Sequence, residues 1–228
     1  GGVGIHVLNL IGGSADGLID RLPGAVRRNL EGATMKALGH AMQAAHSSRS
    51  YVKDQQGWLN QAVSTAMGAA GGAGGLPTAL AELPVTTTLL LRVIQGVAAE
   101  HGFDPAAENV QFDCVHVFTA AGPLADDDSA DLGFLTVRMA LTGRAMNAVI
   151  ARVAPRLALV MGQKLAAQAV PVLGAVAGAA TNYAYTSYYQ DMAHVHFGLR
   201  RLVIEADIPQ EELVARLRQK MGRTPSKI

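Results

Sequence analysis

The sequence predicts an all-α protein: a single-domain helical bundle of roughly seven to nine helices, with Gly-rich helices packed tightly in its core. Three observations predict it. Apolar residues recur at intervals of three and four. No segment shows the strict apolar–polar alternation of a half-buried strand. Proline and glycine divide the 228 residues into pieces of helical length.

The elements follow in order. After Pro23 comes GAVRRNLEGATMKALGHAMQAAH, in which Leu30, Thr34, Ala37, Leu38 and Ala41 share one helical face. Pro23 suits the start of that helix, because the first turn needs no N–H there. An Ala-rich helix is expected from Trp58 to Ala70, ended by GGAGG. Leu83 and Pro84 mark a boundary, and a helix follows from about Thr86 to Glu100, closed by Gly102. VTTTLLLRVI is β-branched enough for a buried strand, but its neighbours are helical and helix is the expectation. Pro105 opens a helix through Phe118, closed by Gly122 and Pro123. Asp128 or Ser129 caps a long helix to about Val153, and Pro155 restarts it. The last core helix spans about Ala169 to Leu202, and PQEELVARLRQKMG is a terminal amphipathic helix.

Composition narrows the function. Half of the residues are hydrophobic, 16% are charged and the net charge is +1, so no global field draws the chain to nucleic acid. Aromatics at 5% are too few for base-stacking platforms. Cys114 is the single cysteine, which allows no internal disulfide and favours a reducing compartment; it reads as a small buried hydrophobe. GGVGIHVLNLIGG has no basic n-region and is not expected to be a signal peptide.

Two long segments avoid charge. Gln55 to Ala81 holds none, and Leu132 to Gln190 holds no acid, although Arg138, Arg144, Arg152, Arg156 and Lys164 lie within it. The apolar part of the second, Leu165 to Ala180, is too short for a membrane span and contains Gln168 and Pro171. Gly174 and Gly178 form GxxxG, which lets two helices approach closely. Tyr185, Tyr188 and Tyr189 share a face; it suits either a membrane interface or a packed helix whose hydroxyls reach core partners.

The stretches GGLPTALAELPVTTTLLLR and QKLAAQAVPVLGAVAGAATNYAYTSYYQDMAHVHFGLRRL resemble the EcsC family, bacterial proteins named for one encoded beside an ABC transporter of the Ecs type. The likeness covers roughly residues 55 to 203. It rests on Leu83, Pro84, Thr86 and Thr87, and then on Gly174 or Ala175, Gly178, Asn182, Asp191, His196, Phe197, Arg200 and Arg201. The resemblance implies a helical protein, cytoplasmic or membrane-associated, with no established reaction.

Candidate chemistry is sparse. Thr86 to Thr88 follow a proline break, where hydroxyls can cap free N–H groups. Arg92 sits in a helix that is apolar almost all round, so burial is expected, with Glu82, Asp113 or Asp191 as a partner. Alternatively its guanidinium binds a carboxylate or phosphate head group. Asp113 and His116, like Asp191 and His194, are spaced i, i+3, which resembles half of a di-iron site. Asp reaches less far than Glu, however, and Glu82 and Glu100 fall near helix ends, so no metal is expected. Asp126, Asp127, Asp128 and Asp131 lack the Gly and Glu of a calcium loop and read as a solvated turn. G-x-S-x-G, H-E-x-x-H and a P-loop are all missing.

The first expectation is therefore a binding or accessory protein without a cofactor, peripheral to the inner face of the cell membrane. It would engage a lipid or fatty acid in an apolar helical cavity, in association with ABC transporter subunits. The expected ligand-binding residues are Glu82, Thr86, Thr87, Arg92, Lys164, Gln168, Asn182, Asp191 and His196. The alternatives are an enzyme using a carboxylate and histidine, with or without metal, and a partner-binding module with no small ligand.

Overall fold

A computed structural model gives the structure of the protein. It describes residues 15–49, 83–120, 122–124, 135, 145–168 and 174–222. Among these residues every regular element is helical. A helical turn, Ala15–Leu18, runs into a 3₁₀ turn, Ile19–Arg21. Six longer helices follow: α1 (Gly24–Arg49), α2 (Leu83–Glu100), α3 (Glu108–His116), α4 (Ala145–Gln168), α5 (Gly174–Ala206) and α6 (Gln210–Gly222). The Ala-rich helix expected after Trp58 and the acidic cap at Asp128 or Ser129 lie outside the described residues.

The helices close into a ring. α1 packs against α2 and α4, and α5 packs against the same two from the other side. α3 lies across α2 and α4, and α6 rests on α5. The apolar periodicity of α1 accounts for its place, since Leu30, Thr34, Ala37, Leu38 and Ala41 are all buried. Thr34 is tolerated there because its hydroxyl donates to the Leu30 carbonyl at 2.8 Å. Gly162 lets α4 approach this face: a Cβ on it would stand 2.7 Å from Leu30 Cδ2.

α2 begins at Leu83, three residues before the expected start, with Pro84 in its first turn. That changes the work of the threonines. Thr87 donates to the Leu83 carbonyl and Thr88 to the Pro84 carbonyl, each at 2.7 Å, so they bond back into the helix instead of capping its N–H groups. The other end of α2 is a Schellman motif. Phe103 N–H donates to the Ala98 carbonyl and Gly102 N–H to the Ala99 carbonyl. Gly102 sits at φ +83°, the left-handed conformation that this cap requires. The motif turns Phe103 onto Phe197 of α5, with ring centroids 5.6 Å apart.

Asp104 and Pro105 delay α3. The Asp104 carboxylate accepts from Ala106 N–H at 2.9 Å and its carbonyl from Ala107 N–H at 3.0 Å, making a turn before the helix starts at Glu108. Pro155 does not restart α4 but lies inside it. The bond it cannot make would go to the Ala151 carbonyl, and Ala151 is exposed, so water can take that carbonyl.

α5 has 33 residues and ends where Asp207 turns to φ 52°. α6 starts just after Pro209, whose carbonyl accepts from Glu212 and Leu213. Its buried Val214 and half-buried Leu213 and Leu217 face the core. Among the described residues, no helix is long and apolar enough to cross a membrane.

Candidate functional site

The buried polar residues fall into two groups along α5. The first lies between α4 and α5. Tyr185 of α5 donates its hydroxyl to the Val160 carbonyl of α4 at 3.1 Å, while Tyr189, one turn further on, lies in the field of Arg156, one turn earlier on α4. The Tyr185–Val160 hydrogen bond sets an antiparallel register, with which the influence of Arg156 on Tyr189 agrees. The same register sets Lys164 level with Thr181, and Gln163 level with Asn182. Lys164 is only 2% exposed, and Gln163, Thr181 and Asn182 are buried with it. A polar row thus crosses the apolar interior beside Leu157, Met161, Leu165 and Ala184.

Two hydroxyls along this interface are unmatched among the described residues. Thr181 Oγ1 and Tyr189 Oη, together with Gln95 Oε1 on α2, have no hydrogen-bond partner among the described residues. Each such enclosed polar atom costs about 1–3 kcal/mol. Burial pushes both tyrosine hydroxyls well above their ordinary titration range, so both are neutral donors. Tyr185 and Tyr189 are fully enclosed and Tyr188 half-buried, which makes this face core packing with a hydroxyl anchored on α4 and not an aromatic membrane belt.

The second group lies where α2, α3 and α5 meet. Asp113 of α3 is ion-paired to Arg200 of α5, and His196 Nε2 stands 3.4 Å from its other oxygen. The Arg200 guanidinium also lies 4.7 Å over the Phe103 ring, and His116 packs edge-on to His196. His101, just beyond the end of α2, meets His194 of α5. The His101 pKa is lowered, first by burial and then by His194 and Arg201. The arrangement can hold a carboxylate in fixed orientation against an imidazole.

The expected residues are therefore dispersed. Lys164 and Asn182 come together in the polar row, and His196 joins Asp113 instead. Thr86 and Thr87 are buried in the first turns of α2. Arg92 is half-buried, less enclosed than its apolar surroundings in sequence suggested, and Asp191 is exposed. Of Arg92's three expected partners, Asp113 is engaged by Arg200. Glu82 and the side chain of Gln168 lie outside the described residues. The two D-x-x-H pairs do not converge, because His116 turns to His196 and His194 to His101. Sequence reasoning passed over Thr181, Gln163, Gln95 and His101, whose polarity is unremarked until the helix faces are known. The i, i+4 spacing of Thr181, Tyr185 and Tyr189 was the available signal.

A comparison with curated proteins and another with solved structures give no match. The model of the EcsC protein family matches residues 28–202, about three quarters of the chain. That span begins before the LP-x-TT motif and takes in most of α1 through the buried rows of α4 and α5. The match and the motif residues placed on α2 and α5 agree, and the chain belongs to the EcsC protein family.

Proposed function

We propose that the protein is a membrane-peripheral binding and accessory protein that engages a lipid or fatty acid among its helices. The anionic head group would lie at the polar row and the acyl chain along the apolar faces beside it. The observation that supports this reading is Lys164, 2% exposed and level with Thr181 among apolar neighbours. An ammonium at that depth is a strong counter-charge for a carboxylate or phosphate, because the low local dielectric amplifies the attraction. Hydroxyl and amide groups of Thr181, Gln163 and Asn182 would orient the same head group. Arg92, half-buried on α2, stands as a second cation towards the surface.

Exposed Leu202 and Ile204 near the end of α5 suit shallow contact with a leaflet, in keeping with a peripheral and not a spanning protein. The family resemblance supports placement at the inner face of the cell membrane in the company of ABC transporter subunits. A total of seven to nine helices in one domain, counting the segments outside the described residues, belongs to the same proposal.

The test is lipid mass spectrometry on an organic-solvent extract of the full chain, purified without detergent. Stoichiometric fatty acid or phospholipid is expected with the wild type and with Asp191→Asn. It should fall at least about tenfold with Lys164→Gln, checked for fold by circular dichroism. An extract without lipid, or lipid retained equally by Lys164→Gln, would overturn the reading and leave the partner-binding module ahead.

A further inference from the structure

His101 lies between the last residue of α2 and the Schellman glycine, and His194 lies in the middle of α5. They are 93 residues apart in the chain, yet His101 Nε2 and His194 Nδ1 stand 3.2 Å from each other. We propose that this pair is a binding site for a divalent transition-metal ion, with zinc the best match and water completing the coordination. The site is separate from the polar row and does not depend on lipid binding.

Four observations support it. The first is the separation. Two nitrogens, each about 2.0–2.1 Å from a zinc ion and subtending a tetrahedral angle, stand about 3.3–3.4 Å apart. The ring nitrogens are already close to that spacing, so turning both rings out of their mutual hydrogen bond would aim both lone pairs at one point. The second is the other face of His194. Its Nε2 is 3.8 Å from Glu100 Oε2, beyond hydrogen-bond reach but close enough for the carboxylate to place negative charge beside a bound cation while Nδ1 faces His101. A shift of Glu100 into hydrogen-bond reach would fix the tautomer and strengthen the ligand.

The third is preorganisation. Gly102 at φ +83° fixes the chain direction just after His101, and the His101 ring packs against α5 beside Gly198, its Cε1 3.6 Å from where a Cβ would stand, an ordinary contact distance. The fourth is access with suitable charge. The side chains of His194 and Glu100 are 41% and 56% exposed, so an ion can enter. Glu100 adds negative charge beside His194, and the neighbouring cation Arg201 is paired to Glu205. Imidazole nitrogens favour zinc, copper and nickel over magnesium or calcium. No third His, Cys, Asp or Glu completes a metal-binding group among the described residues, so two protein ligands imply modest affinity and open positions held by water.

The experiment is isothermal titration of the full chain with zinc chloride at pH 7.5 in a non-chelating buffer, with folding of each variant checked by circular dichroism. The wild type should bind one ion at this site with a dissociation constant on the order of micromolar. His101→Gln and His194→Gln should each weaken binding at least about tenfold, Glu100→Gln about tenfold, and exposed His40→Gln not at all. Zinc should also raise the wild-type Tm and leave that of His194→Gln unchanged. Absence of zinc binding, or equal binding by wild type and both histidine variants, would show a hydrogen-bonded imidazole pair only and overturn the proposal.

Discussion

Two tyrosines one turn apart make opposite contributions. Tyr185 donates to the Val160 carbonyl, whereas the Tyr189 hydroxyl is enclosed with no hydrogen-bond partner among the described residues. Removing the first hydroxyl loses a bond of about 0.5–1.5 kcal/mol, and removing the second relieves a desolvation cost of similar size. Tyr185→Phe should therefore lower stability by about 1 kcal/mol and Tyr189→Phe raise it or leave it level, as read from urea unfolding midpoints at constant m. The aromatic rings themselves stay, so the edge-on contact of Tyr189 with Phe118 survives in both variants. Side chains of this kind were half legible beforehand. The i, i+4 spacing put both tyrosines on one face, but only the α4 partner separates a bonded hydroxyl from an unbonded one. Asp113 and Arg200 show the limit more sharply, since 87 residues separate them and no local pattern links them.

At the scale of elements, the α1 face and the α6 start follow from spacing and from Pro23 and Pro209, and both helices lie where the sequence puts them. Pro155 misleads because a proline is a local signal, whereas the continuity of α4 is decided by packing on α1, α3 and α5. Pro155 is exposed and sits well inside a helix of 24 residues. Alanine there restores the N–H donor to the Ala151 carbonyl and carries a helix propensity about 3 kcal/mol better in isolation. Part of that gain is offset by repacking of a straighter helix, so Pro155→Ala should stabilise by about 1 kcal/mol or more, visible as a raised Tm. The threonines of α2 mislead for a related reason. Hydroxyls after a proline suit either a cap or a back-bond, and the actual start of the helix decides between them.

For the whole molecule, the ring of α1, α2, α4 and α5 holds most of the core, and α6 is an addition to its outside. α6 buries Val214 fully and Leu213 and Leu217 in part, which is worth about 1.5–3 kcal/mol for the first and less for each leucine. Ordering its 13 residues offsets much of this gain. Ending the chain after Ala206 should thus leave a helical, cooperatively unfolding protein with a lower midpoint, measured by circular dichroism during thermal unfolding. Loss of cooperativity would place α6 within the core unit. The all-α class was legible from the lack of alternation. The closure of the ring was not, because it depends on contacts between segments more than 100 residues apart, as between α1 and α4.

α5 extends for about 50 Å at the usual rise per residue. Between Asn182 and His194 it is unbroken α-helix with neither proline nor glycine, over about 18 Å. The polar row sits near one end of that interval and the imidazole pair at the other. α5 therefore acts as a stiff lever: a tilt that widens the gap to α4 at Thr181 must also displace His194 relative to the end of α2. A spectroscopic label at either place would report on movement at the other, although no side chain bridges the distance.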